Sequence, residues 1–181
     1  MKKLFLIFFA VIPTLLANCG KSNELKKHTT MALGVKFDTN NPRVIKSTVK
    51  ALQYWEQVVD FYWFDDENEA TCSIDISVTF NKAFFKGITT TADGKKKYNY
   101  IVALTDNIYN PEFHGNMFLN RFMVDEMSDA ELDETIKHEL GHEFGLLDNH
   151  NPKSLMRWIG FGSFILTPQD INNLKKLHAL K

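Results

Sequence analysis

The chain has 181 residues, of which 44% are hydrophobic and 24% are charged, and its formal net charge is -1. This length suits one domain, and the composition is that of an ordinary globular protein. Because the charges nearly balance and no long acidic or basic run occurs, we expect no nucleic-acid partner.

The N-terminus has the pattern of an export signal. Lys2 and Lys3 precede an apolar run over residues 4–16, which is too short to cross a membrane as a stable helix. The following sequence LANC resembles the lipobox of bacterial lipoproteins, in which the cysteine carries the lipid. We therefore expect residues 1–18 to be a lipoprotein signal peptide and the mature chain to be anchored in a membrane through Cys19. A plain secretory signal and a soluble secreted protein are the alternative.

The mature chain divides into two parts. Residues 19–30 are polar and charged, which predicts a tether, and residues 31–181 form the predicted folded domain. With Cys19 acylated, Cys72 is the only thiol left, so the domain has no internal disulfide and relies on its core. Gly20 is not the aspartate that indicates retention in the inner membrane. We expect a monomer on the cell envelope, in the outer membrane where the cell has one.

The first half of the domain predicts a strand, a helix and a further strand. Residues 31–37 are apolar and partly alternating, which favours a strand. Pro42 can open a helix, and apolar residues at helical spacing extend that helix to about residue 61. Residues 72–80 alternate strictly between apolar and polar, the clearest strand pattern in the chain.

The middle of the chain is less regular. The Asp93-Gly94 pair predicts a hairpin turn between short strands, and residues 98–104 predict another strand. Residues 107–121, with a proline, a glycine and several asparagines, are predicted to be a loop.

Two helices are predicted near the C-terminus. Ser128 with Glu131 three residues later is a capping box and marks the start of the first, which ends near Gly145. Thr167 as the cap and Pro168 in the first turn mark the start of the second.

The first of these helices begins a stretch over residues 138–156 that reads HELGHEFGLLDNHNPKSLM. His138 and His142 are four residues apart, so both imidazoles lie on one helical face and can bind a single ion. Glu139 lies about 100° around the helix from His138, at the border of that face. It is therefore placed to accept a proton from a metal-activated water as a general base.

The opposite face of this helix is predicted to pack against the core, and its C-terminal end is predicted to turn the chain back towards the metal. The face turned away from the histidines is apolar and predicts a contact with the core; it consists of Leu132, Ile136, Leu140 and Phe144. Gly145 can adopt a positive φ and end the helix, so that the chain turns back below the metal. That turn can supply a third ligand from Asp148 or His150, because catalytic zinc needs three protein ligands and an open position.

The segment HELGHEFGLLD, followed by SLM, resembles the metzincin clan of zinc peptidases, whose pattern is HExxHxxGxxH or HExxHxxGxxD with a methionine turn. The aromatic-rich first helix, the strand CSIDISVTF and the final LTPQDI helix are similar to matrixin-type domains. The resemblance implies an α+β, metzincin-like zincin fold. We expect a twisted, mostly parallel β-sheet packed on two long helices, with a C-terminal helix after the Met-turn.

Carried over to this sequence, the resemblance implies one catalytic Zn²⁺ with three ligands, which are His138, His142 and Asp148. It gives Glu139 the role of general base and places Met156 in the Met-turn beneath the metal.

Matrixins have histidine at the third-ligand position, whereas snapalysin-type metzincins have aspartate. His150 is the competing ligand, and we favour Asp148 because of its position in the motif and because carboxylates bind zinc. Trp158 occupies a position where astacin- and serralysin-like enzymes carry a tyrosine ligand. We also expect no cysteine-switch propeptide.

These features predict a zinc-dependent endopeptidase acting on proteins or peptides. An extended substrate would pair with a strand edge in the 81–104 region, and residues 157–165 would shape a side-chain pocket. One alternative is a non-catalytic, metal-binding surface lipoprotein that keeps the same fold. The facial triad of non-haem iron oxygenases is another, but its ligands usually lie on strands and it leaves Glu139 without a task.

Overall fold

The computed structural model describes residues 31–65, 72–79, 84–90, 96–100, 103–106, 114–157 and 164–177. The predicted signal peptide and tether, with Cys19, lie outside the described residues, as do Asp93, Gly94 and Trp158. No helix in the described ranges has both the length and the hydropathy needed to cross a membrane.

The described residues form seven strands and four helices. The strands are β1 (Met31–Asp38), β2 (Phe61–Phe64), β3 (Cys72–Thr79), β4 (Phe85–Thr90), β5 (Lys96–Tyr100), β6 (Ala103–Asp106) and β7 (His114–Asn120). The helices are α1 (Pro42–Trp55), α2 (Arg121–Glu126), α3 (Asp129–Glu143) and α4 (Pro168–Leu177).

Five strands make up the main sheet, in the order β2-β1-β3-β7-β6. The pairings of β1 with β2, of β1 with β3 and of β3 with β7 are parallel, and only β6 is antiparallel to its neighbour. Strands β4 and β5 form a separate antiparallel pair. The prediction of a mostly parallel sheet is confirmed, and within the described residues β6 is one of its two edges.

The core lies between this sheet and the helices α1 and α3. Ile74 and Ile76 of β3 are fully buried, as the alternation of that strand predicts. The apolar face of α3 is also buried, and its members are Leu132, Ile136, Leu140 and Phe144. Complete burial of one such side chain contributes about 1.5–3 kcal/mol, so α3 is held firmly against the core.

Helix α1 is shorter than its apolar spacing predicts, and the extension to about residue 61 is wrong. The helix ends at Trp55, whose carbonyl accepts hydrogen bonds from the amides of Val58 and Val59 in the following turn. The next aromatic residues form β2, in which Phe61 pairs with Met31 of β1. Aromatic side chains suit a strand, and the parallel pairing with β1 overrides the helical spacing.

The predicted loop over residues 107–121 is also wrong in part, because it contains β7, which lies between β3 and β6 in the sheet. Gly115, Met117 and Leu119 alternate as buried residues along it. The predicted strand over residues 98–104 is divided between β5 and β6. Thr90 pairs with Lys96 at the antiparallel junction of β4 and β5, which agrees with the predicted hairpin.

Candidate active site

Helix α3 carries the candidate site, and both of its ends are built as the sequence predicts. Its N-cap is Ser128, whose hydroxyl accepts from the amide of Glu131 at 3.3 Å, while the Glu131 carboxylate accepts from the amide of Ser128 at 2.8 Å. This is the predicted capping box. At the other end Gly145 has a φ of 83°. A left-handed residue of this kind ends a helix and turns the chain back, which is the role predicted for Gly145.

The turn brings Asp148 to the two helical histidines. The Nε2 atoms of His138 and His142 are 3.1 Å apart. Asp148 Oδ1 lies 3.2 Å from His138 Nε2 and 3.5 Å from His142 Nε2. Across the described ranges, no other group of three or more His, Cys, Asp or Glu side chains brings its ligand atoms within 4.8 Å of one another. His150 is exposed and does not belong to this group.

The other ring nitrogens of both histidines are bound to backbone carbonyls. His138 Nδ1 donates to Leu155 O at 2.8 Å, and His142 Nδ1 donates to Leu146 O, also at 2.8 Å. When each ring is neutral, its Nε2 therefore carries the lone pair and faces the cluster. Two imidazole nitrogens and one carboxylate oxygen are a donor set that catalytic zinc accepts, so these residues fit a zinc ion.

The electrostatics of the cluster also favour a cation. Hydrogen bonds from His138 and then from His142 hold the pKa of the Asp148 carboxyl far below its ordinary value. Burial of His138 lowers the pKa of that ring, but its hydrogen bond to Asp148 and the nearby charge of Glu139 outweigh burial and raise the pKa. Both shifts have one cause, which is that the carboxylates stabilise positive charge among the three side chains.

Glu139 is buried beside this cluster and points towards the sheet. Its Oε2 accepts a hydrogen bond from Thr105 Oγ1 at 2.6 Å, and Thr105 belongs to the edge strand β6. Thr105 is a site residue that the sequence analysis did not identify. A polar side chain in the core-facing row of a strand is the signal for it, but that row is known only once β6 is paired with β7.

Met156 is fully buried against the middle of α3. A Cβ at Gly141 would overlap the Met156 sulfur and lie 3.2 Å from Trp55 Cζ2. Gly141 stands between the two histidines in sequence, so Met156 contacts the turn that carries them. The backbone amide of Met156 donates to Ser154 Oγ at 2.9 Å, which fixes the loop below α3.

A family model named matrixin matches residues 25–179. The chain belongs to the matrixin family. Matrixins are zinc metallopeptidases that act on proteins or peptides, so membership gives the activity and the metal at the level of the family. The mixed fold, with its mostly parallel sheet, agrees with this family. A comparison with curated proteins finds no match.

In this matrixin domain, a buried carboxylate of α4 joins the two loops below the site. Asp170 Oδ2 accepts from Ser154 Oγ at 2.8 Å, from Thr167 Oγ1 at 2.7 Å and from the amide of Thr167 at 2.8 Å. Its Oδ1 accepts from Asn149 Nδ2 at 3.0 Å. Asn149 follows Asp148 in sequence, and its backbone amide donates to Met156 O at 2.7 Å. This network therefore holds the loop that supplies the third candidate ligand. Sequence analysis gave Asp170 no role.

Proposed function

We propose that this matrixin is a zinc-dependent endopeptidase that binds one Zn²⁺ through three ligands and uses Glu139 as the general base. The three ligands are His138, His142 and Asp148. The observation that carries the proposal is the convergence of their ligand atoms within 4.8 Å, with a buried carboxylate beside them on the same helix.

Asp148 is favoured over His150 as the third ligand. The Asp148 carboxylate lies within 3.5 Å of both imidazoles, whereas the exposed His150 stands outside the cluster. This assignment makes the site the snapalysin-type variant of the metzincin pattern, with aspartate where other matrixins have histidine. Met156, buried against Gly141, takes the place of the methionine in the Met-turn.

Zinc, when bound, supplies Lewis-acid polarisation of a water molecule and of the peptide carbonyl. Glu139 takes one proton from that water as the water oxygen attacks the carbonyl carbon. The carboxyl of Glu139 then gives the proton to the leaving nitrogen as the C–N bond breaks. The immediate products are a carboxylic acid and an amine, which become a carboxylate and an ammonium group when the remaining water proton passes to the amine, and Glu139 returns to its starting ionised form.

The edge of β6 left unpaired in the described part of the chain is the proposed binding position for an extended substrate. Within the described residues β6 pairs on one side with β7, and its other side has no strand beside it. The strand also contacts α3, which carries Glu139. A peptide that adds to this edge by backbone hydrogen bonds would pass beside the candidate zinc site. The pocket assigned to residues 157–165 lies mostly outside the described residues.

The proposal extends to the anchoring of the enzyme. We propose that residues 1–18 are removed, that Cys19 carries the lipid and that residues 19–30 tether a monomeric catalytic domain, residues 31–181, to the outer membrane. In cells fed a labelled fatty acid, the parent protein should carry label and Cys19→Ala should carry none. Equal release of both proteins into the medium, without label, would support the secreted soluble alternative.

The catalytic proposal is tested with Glu139→Gln, which keeps the size of the side chain but removes its basicity. We expect the variant to keep its zinc and to lose hydrolysis of a peptide library by at least about a thousandfold. Glu126→Gln, at an exposed position on α2, is the matched control and should keep full activity.

Full activity in Glu139→Gln would refute the role of the base. A parent protein that holds zinc and cleaves no peptide would support the non-catalytic, metal-binding lipoprotein instead.

A further inference from the structure

We propose that Thr105 is a positioning residue of the catalytic site, which holds the Glu139 carboxylate in place from the edge strand β6. This inference rests on the proposed role of Glu139 as general base. It is carried by the register of β6, by the burial of its cross-strand neighbours and by the contact between the two side chains.

The register places the Thr105 side chain on the core side of the sheet. Thr105 pairs with Met117 and Ala103 pairs with Leu119, so each pair shares one face of the antiparallel ladder. Met117 and Leu119 are fully buried, and Ala103 is buried as well. The half-buried hydroxyl of Thr105 therefore stands in a row that is otherwise apolar and buried, where polar groups are usually hydrogen-bonded.

Glu139 is that partner. The separation of 2.6 Å between Thr105 Oγ1 and Glu139 Oε2 is typical of a hydroxyl donating to an ionised carboxylate. Among the described residues, Thr105 is the only hydrogen-bond donor to this carboxylate. Because Oε2 is held, Oε1 is the oxygen left to accept a proton from water.

The contact between Thr105 and Glu139 lowers the free energy needed to orient the Glu139 carboxylate for proton transfer. A glutamate side chain has several rotatable bonds, and a carboxylate that is already oriented needs no search before proton transfer. The hydroxyl also belongs to the strand that a substrate would extend. It therefore places the general base in a fixed position relative to the backbone of a paired peptide.

The test compares two changes at one position. Thr105→Val keeps the shape and removes the hydroxyl, whereas Thr105→Ser keeps the hydroxyl and removes the methyl group. On a cleaved library peptide we expect Thr105→Val to lower kcat about tenfold with KM within about twofold of the parent, since one orienting hydrogen bond is lost. Thr105→Ser should keep most of the parental kcat, because it keeps the hydroxyl. All variants should bind one zinc per chain.

The matched control is Thr48→Val on α1. Thr48 is fully buried, and its hydroxyl has no hydrogen-bond partner in the described part of the chain. The same chemical change at this position should leave kcat unchanged. If Thr105→Val does not fold, Thr105→Ala replaces it as the variant without a hydroxyl, and Thr105→Ser is still compared with it.

A double-mutant cycle measures the contact without using activity. Urea midpoints are compared for zinc-loaded parent, Thr105→Val, Glu139→Ala and the double variant, at one fixed zinc concentration. We expect the shift of the double variant to be smaller than the sum of the single shifts, because each single change already removes the same hydrogen bond. Additive shifts would overturn the proposal.

The activity measurements separate this inference from the proposed function. Parental kcat in Thr105→Val, with an inactive Glu139→Gln, would overturn the role of Thr105 alone. Full activity in Glu139→Gln would overturn both.

Discussion

The side chain of Met156 lies against the backbone of Gly141, in the turn of α3 between the two candidate histidine ligands. A Cβ at position 141 would overlap the Met156 sulfur, lie 3.0 Å from its Cε and 3.2 Å from Trp55 Cζ2. Met156 and Trp55 are both fully buried, so a Cβ at this position requires the Met156 thioether to shift within the core. The glycine is therefore required by packing, although alanine forms helices better.

Gly141→Ala should destabilise the protein in spite of that better helix propensity. Overpacking of a core costs about 1–3 kcal/mol, which over most of that range exceeds the roughly 1 kcal/mol that alanine gains over glycine in a helix. We expect a lower midpoint of thermal unfolding at fixed zinc concentration. Met156→Ala leaves a cavity and costs stability by itself, but it should cost less in the Gly141→Ala background, because the new Cβ then fills part of the space. A raised midpoint in the single variant would contradict this packing.

The choice of third ligand predicts different effects for two neighbouring side chains. Asp148→Ala should lower zinc affinity by more than the roughly ten- to hundredfold loss typical of changes outside the metal's direct ligands. His150→Ala should leave the affinity within about twofold of the parent. Competition with a chromophoric chelator measures both. Retained affinity in Asp148→Ala together with loss in His150→Ala would reverse the assignment.

The buried carboxylate of Asp170 predicts an effect on the metal from a residue of another helix. Its oxygens accept from Ser154, Thr167 and Asn149, so Asp170→Asn turns an amide donor towards at least one existing donor. We expect a loss of about 2–4 kcal/mol in stability and of roughly tenfold or more in zinc affinity.

Unfolding at fixed zinc concentration and chelator competition test this expectation. Gln169→Ala, at the exposed neighbouring position, is the control and should change neither quantity. Parental zinc affinity in a folded Asp170→Asn would show that the loop does not depend on this carboxylate.

The parts of the site that sequence predicts are those set by neighbours along the chain. The capping box at Ser128, the shared face of His138 and His142 and the positive φ of Gly145 each depend on a few consecutive residues. The contact of Thr105 with Glu139 joins residues 34 positions apart and depends on the register of β6. No local pattern fixes such a register.

The fold likewise contains elements that local sequence predicts and elements that depend on pairing with distant strands. The alternation of β3 is a complete local signal, because its apolar residues recur at every second position. In β7 the glycine and asparagine content indicates a loop, and only its pairing between β3 and β6 makes it a strand. The early end of α1 likewise follows from the pairing of β2 with β1. Asp170 is identified only when α4 packs below the loop that contains Ser154.

The contact between α1 and α3 predicts a pH dependence of stability. Burial of Asp133 opposes ionisation, but hydrogen bonds from Lys50 at 2.6 Å and from Ser47 outweigh burial and lower the pKa of this carboxyl below 3.8. A carboxyl with a lowered pKa in the folded state stabilises it above the unfolded pKa. That stabilisation is lost as the pH falls through the folded pKa.

Parent and Asp133→Asn should therefore differ in free energy of unfolding near neutral pH, and the difference should shrink as the pH falls through the folded pKa of Asp133. We expect the difference near neutral pH to be about 1 kcal/mol or less, as for other partly exposed ion pairs. Urea unfolding of both proteins across this pH range measures it. A difference that stays constant or grows on acidification would contradict the shift.

The proposed activity requires zinc bound at one site for peptide hydrolysis. The most direct measurement strips the protein of metal and follows cleavage of a quenched peptide library as zinc is returned. We predict no cleavage without zinc and a rise that reaches its plateau at one zinc per chain. Cleavage that persists in the stripped protein, or its absence after one zinc has bound, would contradict the account.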